Sequence, residues 1–223
     1  MSELNIPSEF PVMTLRDTVF FPSAMLPLRI FEDRYRKMLS DVLKKERMFA
    51  IVAERERHPT DGTLEEPPFD VATIGLIRVS KKHEDGTSFV MLQGVSRIRI
   101  REIVRESPYR VVSGKVFDTI VEKGKPICRN KIIDALEQNN KLGGDVSKET
   151  LEYLIMVEDD SSFIDLAAFT LCKNSIRKQA MLEVQRLHKR AEMLFDDLIK
   201  ENLKLSFEKN FPSDIAGKDL DRN

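Results

Sequence analysis

The chain has 223 residues, 41% of them hydrophobic and 33% charged, with a formal net charge of -1. This balance excludes a disordered or fibrous chain, and also a polycation that would hold nucleic acid by charge alone. The charge is even along the chain: residues 1–118 carry 19 Lys and Arg against 18 Asp and Glu, and residues 119–223 carry 17 against 19.

The opening residues, MSELNIPSEFPV, show no basic stretch followed by an apolar run, so neither an export signal nor a membrane anchor is expected. From Phe10 to about Asp118 short runs rich in β-branched and aromatic residues alternate with turn formers, which predicts a β-rich lobe over residues 1–118. Its clearest strands are Met48–Glu54, Val71–Ser80, Thr87–Gly94, Ser96–Val104 and Tyr109–Phe117, with Asp85-Gly86 as a hairpin turn. One helix interrupts them, from Glu32 to Lys45, because Tyr35, Met38, Leu39, Val42 and Leu43 share a face. Arg55–Asp70, with three prolines and no periodicity, reads as an exposed loop, either a simple insertion or a partner contact.

After Thr119 the period becomes helical, which predicts a bundle over residues 119–209. Pro126 opens a first helix that Gly143-Gly144 ends, and Ser147 caps a second. Ser162 with Asp165 has the spacing of a capping box for a third. The fourth is predicted as one long helix from Ser175 to Lys204, carrying the stripe Ile176, Ala180, Val184, Leu187, Ala191, Leu194 and Leu198. Met181, Phe195 and Ile199 widen that stripe, which favours packing within the chain over a two-chain coiled coil. Residues 210–223 read as a flexible tail.

Motifs for catalysis are lacking. No GxxxxGK[ST] loop is present, and the three histidines, His58, His83 and His188, fall in a loop, a charged hairpin and the polar side of the last helix. Cys128 and Cys172 form no metal-ligand spacing and read as buried thiols in a reducing cytoplasm. Neither a metal nor a cofactor is expected. Two features suggest contact with a partner instead. Arg97, Arg99 and Arg101 alternate along a strand and so share one face, where they form either a solvated surface or a site for phosphate or acidic groups. Phe20, Phe21 and Met25 crowd one short segment, and strand alternation would turn Phe20 outward while Phe21 enters the core. With the adaptable Met25, Phe20 is then the partner-contact candidate, the alternative being that the helical lobe covers both phenylalanines.

The segment FPVMTLRDTVFFPSAMLPLRIFEDRYRKML, Phe10–Leu39, resembles the signature that opens Lon N-terminal domains. Pro11, Leu15, Val19, Phe21 and Pro22 match its first strand, then Leu26, Pro27, Leu28, Ile30, Phe31 and Glu32, then Arg34 and Tyr35 in a helix. Ser23 departs from it, since relatives commonly have glycine after the FP pair. With later matches such as IGLIRVS, PYRVVSGKV and SFIDLAAFTL, the resemblance spans roughly Phe10–Lys204. It implies an α+β fold, a PUA-like pseudo-barrel with one inserted helix followed by a helical bundle. It also implies a free-standing, non-enzymatic module, without the ATPase and Ser-Lys peptidase of a complete Lon, that binds unfolded polypeptide or another protein through the barrel and the crevice between lobes. An RNA-binding module is the alternative, resting on the PUA-like fold and the arginine stripe.

Overall fold

A computed structural model describes residues 6–210. The expected tail over 210–223 therefore falls, beyond its first residue, outside the described residues.

Strands β1 (Glu9–Leu15), β2 (Met25–Ile30), β3 (Met48–Ala53), β4 (Val71–Lys82), β5 (Ser88–Arg105) and β6 (Val111–Val116) form one mixed sheet in the order β2-β5-β4-β3-β1-β6. Strand β6 pairs back onto β5, so five strands close into a pseudo-barrel while β2 flanks it. Only β1 and β3 run parallel; helix α1 (Asp33–Val42) lies between them in sequence. Strand β5 serves three partners in turn, β2, β4 and β6, which is why it is one long element where two strands are predicted. Register shifts between Ile74 and Gly75 and between Ile100 and Glu102 bend it around the closure. Gly94 sits at that bend, and a Cβ there would run into the carbonyl oxygen of Phe21.

Within the barrel region much of the sheet is buried on both sides. Inside the barrel Phe10, Val12, Ala50, Ile74, Ile98 and Val112 form a small core. On the outside Phe21, Phe49, Ile51 and Leu92 join Tyr35 and Met38 of α1 and the apolar faces of the helices in a larger, continuous core. Those helices are α2 (Arg129–Leu142), α3 (Lys148–Ile155), α4 (Asp160–Leu171), α5 (Ser175–Glu183) and α6 (Leu187–Asn210). Gly143 ends α2 in the left-handed region at φ 81°, and Ser147 caps α3 by accepting from the amide of Thr150, both as predicted.

Three local expectations are corrected. The long fourth helix is two helices, α5 and α6, broken at Val184–Arg186. The break has no Pro or Gly; instead the amide of Ile120 donates to Gln185 O and that of Leu187 to Ile120 O, so the backbone pairs with the connector after β6. Helix α4 starts earlier than expected: Asp159 caps it, accepting from the Ser162 amide, and Asp165 lies buried inside it. Finally, residues 16–24 are not a strand, so alternation does not apply, and Phe20 and Phe21 are both in the core at 1% and 0% exposure. Within that turn Ser23 takes φ 65°, the left-handed region that glycine occupies without cost, and its hydroxyl lies 2.9 Å from that of Ser162.

Candidate functional site

Where β2, β4 and β5 run beyond the barrel, alternation gives them two unlike faces. Ile30, Ile77, Val90 and Leu92 point into the larger core. The alternate residues face out, and the register lines them up: Pro27 opposite Met91 opposite Val79, and Arg29 opposite Phe89 opposite Lys81. Met25 pairs with Gln93 at the near end. The exposed large apolar residues of this face, Met25, Val79 and Phe89, are 42%, 50% and 37% accessible. Isolated exposed apolar residues are ordinary, but a contiguous row across three strands is not. Two of its members are methionines, whose unbranched chains adapt to partners of varied shape. Cations rim the row: Arg29 pairs with Asp85 at 3.5 Å, whereas Arg78, which donates to the neutral Gln93 Oε1 at 2.5 Å, and Lys81 have no carboxylate partner among the described residues.

Strand β2 pairs with β5 alone, so it is an edge. Such edges invite pairing with another strand unless blunted. Pro27, with no N–H, blunts this one. The apolar face, rather than the backbone edge, is the surface on offer.

Of the residues singled out in the sequence, Met25 is on this face. Phe20 is not: its ring meets Phe169 edge to face at 6.3 Å, so its expected role as an exposed contact is withdrawn. The arginine stripe is also broken. Arg99 and Arg101 are exposed, Arg99 lying over the Phe117 ring at 4.2 Å, whereas Arg97 is only 3% exposed. Its guanidinium donates to Asp165 Oδ1 at 2.5 Å, to Leu182 O at 3.0 Å and to Thr119 Oγ1 at 3.3 Å. Arg97 is a structural tie between barrel and helices, because those partners come from α4, α5 and the connector.

Arg190 completes that tie. It is fully buried, with Nε 3.0 Å from Asp165 Oδ1, an ionic contact outside hydrogen-bond alignment. Its Nη1 donates to Val184 O at 2.7 Å, so it caps the helix break. Burial, the larger effect, pulls its guanidinium down to about 10 despite the opposing pull of Asp165. No local pattern marks this network in the sequence, since its members lie far apart along the chain.

The 55–70 loop has an exposed tip and a fastened base. Arg34 grips the Glu66 carboxylate with both terminal nitrogens at 3.0 and 2.7 Å, and buried Arg110 donates to the carbonyls of Glu65 and Glu66. The Arg34 of the opening signature thus acts on a segment 32 residues away. Its partner carboxylates hold that guanidinium above its ordinary value, the bond to Glu66 contributing most.

His58 caps the short turn at Pro59–Asp61, and His83 is exposed in the hairpin. His188, expected on a polar face, is buried with Nδ1 2.9 Å from Glu122 Oε2. Cys128, expected to be buried, is exposed before α2, and Cys172 is partly buried. Among the described residues no group of three or more His, Cys, Asp or Glu is placed to hold a metal, and no helix is long and apolar enough to cross a membrane.

Fold and surface define a class: an α+β pseudo-barrel domain, braced by helices, that presents an apolar sheet face to solvent. Residues 9–200 match the family described as the ATP-dependent protease La (LON) substrate-binding domain. The chain belongs to that family. It is 32% identical over 213 residues to a Lon protease of Clostridioides difficile, covering 92% of this chain and 27% of that protein. To a Lon protease of Buchnera aphidicola it is 28% identical over 191 residues, 83% of this chain and 24% of the relative. The chain thus spans about a quarter of the length of these curated relatives. Its fold matches the N-terminal domain of Mycobacterium avium complex Lon protease with a TM-score of 0.63 at 16% identity, covering 86% of this chain and 98% of that one. A Lon N-terminal domain protein from Xanthomonas campestris matches at 0.60 and 18%, covering 85% and 98%.

Proposed function

We propose that this domain captures unfolded or degron-bearing polypeptide on the outer face of β2, β4 and β5, as a non-enzymatic recognition step linked to ATP-dependent proteolysis. The observation that carries the reading is the apolar row Pro27–Met91–Val79 with Met25 and Phe89 beside it, which the strand register gathers into one contiguous patch across three strands. Membership of a substrate-binding family supports it. Arg99 and Arg101, up to about 33 Å farther along β5 than Met91 at strand spacing, are auxiliary contacts for acidic residues of a polypeptide some ten residues long. The reading places the domain in the cytoplasm, where its unpaired cysteines stay reduced.

The test is binding of a fluorescent, permanently unfolded polypeptide, followed by anisotropy. The double variant Met91→Ser with Val79→Ser should weaken binding by about tenfold, the loss expected for two partly buried apolar contacts. Unchanged affinity, or cleavage of the polypeptide by the purified chain, would overturn the reading. The RNA alternative loses its main support with Arg97 committed to Asp165. RNA retention at low salt that falls steeply as salt is added would bring it back.

A further inference from the structure

A second surface lies between the barrel and α5, a crevice of about 650 Å³. Its apolar side is Ala53 at the end of β3, Phe69 and Ile176, the last 69% exposed on the first turn of α5. The walls are preformed, because Phe69 N donates to Ala53 O at 3.0 Å and Glu54 bridges to Pro68.

The charges around it do not cancel. Arg55 is occupied by Asp61 at 2.9 and 2.6 Å, and Glu54 by Arg16 at 2.8 Å. Among the described residues Asp17 accepts a hydrogen bond from the Ser175 hydroxyl at 3.4 Å and feels the charge of Arg16 without an ion pair, and no basic side chain forms an ion pair with Glu56. Two carboxylates are left facing an apolar floor. The sheet face described above has the opposite character, a rim in which Arg78 and Lys81 are the cations left over.

We propose that this crevice is a second docking site, selective for a polypeptide segment in which a large apolar residue adjoins a lysine or arginine. The apolar side chain packs on Phe69 and Ile176 while the cation reaches Asp17 and Glu56. Charge complementarity is what selects the occupant: an acidic segment would meet two carboxylates that no ion pair occupies, and repulsion of that kind gives specificity. The proposal does not depend on the sheet face.

Two labelled nine-residue peptides test it, one with Leu-Arg at its centre and one with Leu-Glu, each otherwise Gly and Ser. Anisotropy should show the Leu-Arg peptide binding about tenfold or more tighter, with the difference shrinking as salt screens it. Asp17→Asn with Glu56→Gln should abolish that preference; Asn tolerates the φ of 53° at position 17, and both side chains are exposed, so the fold is kept. Ile176→Ser should weaken the Leu-Arg peptide, while the preference for Leu-Arg over Leu-Glu should persist in Met91→Ser with Val79→Ser. Equal binding of the two peptides by the native protein, or a preference that survives neutralisation, would overturn the proposal. So would loss of the preference in the sheet-face variant alone, a result that would assign it to the other site.

Discussion

Replacing Asp165 by Asn should be among the costliest single changes in this domain. Asp165 is 1% exposed and is the only carboxylate that contacts either Arg97 or Arg190 among the described residues. One carboxylate already serves two buried guanidiniums. The amide would keep the shape and could still accept one hydrogen bond, but it would leave two cations enclosed with no anion. Breaking a buried pair in this way costs about 3–5 kcal/mol, a large share of the roughly 5–15 kcal/mol that holds a typical domain together. Equilibrium urea denaturation followed by circular dichroism measures the loss directly, and an unchanged slope with denaturant would show that folded and unfolded states keep their extents. A loss under about 1 kcal/mol would refute the reasoning, because it would mean that the guanidiniums reach water. Replacing the whole network by Asp165→Leu, Arg97→Met and Arg190→Met should recover only part of the stability. The carbonyls of Leu182 and Val184, beside the helix break, lose their arginine donors in that variant.

Leu187→Ala, at the buried start of α6, should cost about 2–5 kcal/mol through the cavity it opens. Sedimentation should show the oligomeric state unchanged; loss of a dimer at constant monomer stability would make α6 an assembly interface. Gly94→Ala should destabilise by on the order of 1–3 kcal/mol, since the new methyl meets the rigid backbone at Phe21, and thermal melting reads the effect. Burial pushes the Tyr35 phenol up to about 12, above the value near 10 of an unfolded chain. The folded state thus keeps a proton that the unfolded state releases, so this contribution is intact below pH of about 10 and is lost as pH rises through about 12. Burial raises the Tyr109 phenol as well, so an ultraviolet titration should show a late-ionising component that diminishes in Tyr35→Phe while that of Tyr109 remains; a normal titration of Tyr35 would contradict its burial.

Much of the architecture was legible along the chain. Alternation and turn chemistry marked strands β3 to β6, the spacing of Tyr35, Met38, Leu39 and Val42 marked α1, and Gly143 and Ser147 marked the α2–α3 boundary. These signals are local, because propensity, capping and periodicity act within a turn or two of the residue concerned. What tertiary structure decided lies at long range. The apolar rhythm runs unbroken through Val184, yet α5 and α6 separate there because a connector more than 60 residues earlier supplies the hydrogen bonds and Arg190 takes the freed carbonyl. Arg97 alternates like a surface residue, yet it is buried because Asp165, 68 residues on, comes to meet it. Phe20 and Phe21 are both enclosed because residues 16–24 leave the strand geometry on which alternation depends. The candidate face follows the same division: alternation told which side chains of β4 and β5 share a side, but only the packing of α1 and the helical lobe decided which of the two sides is covered and which is left to meet a partner.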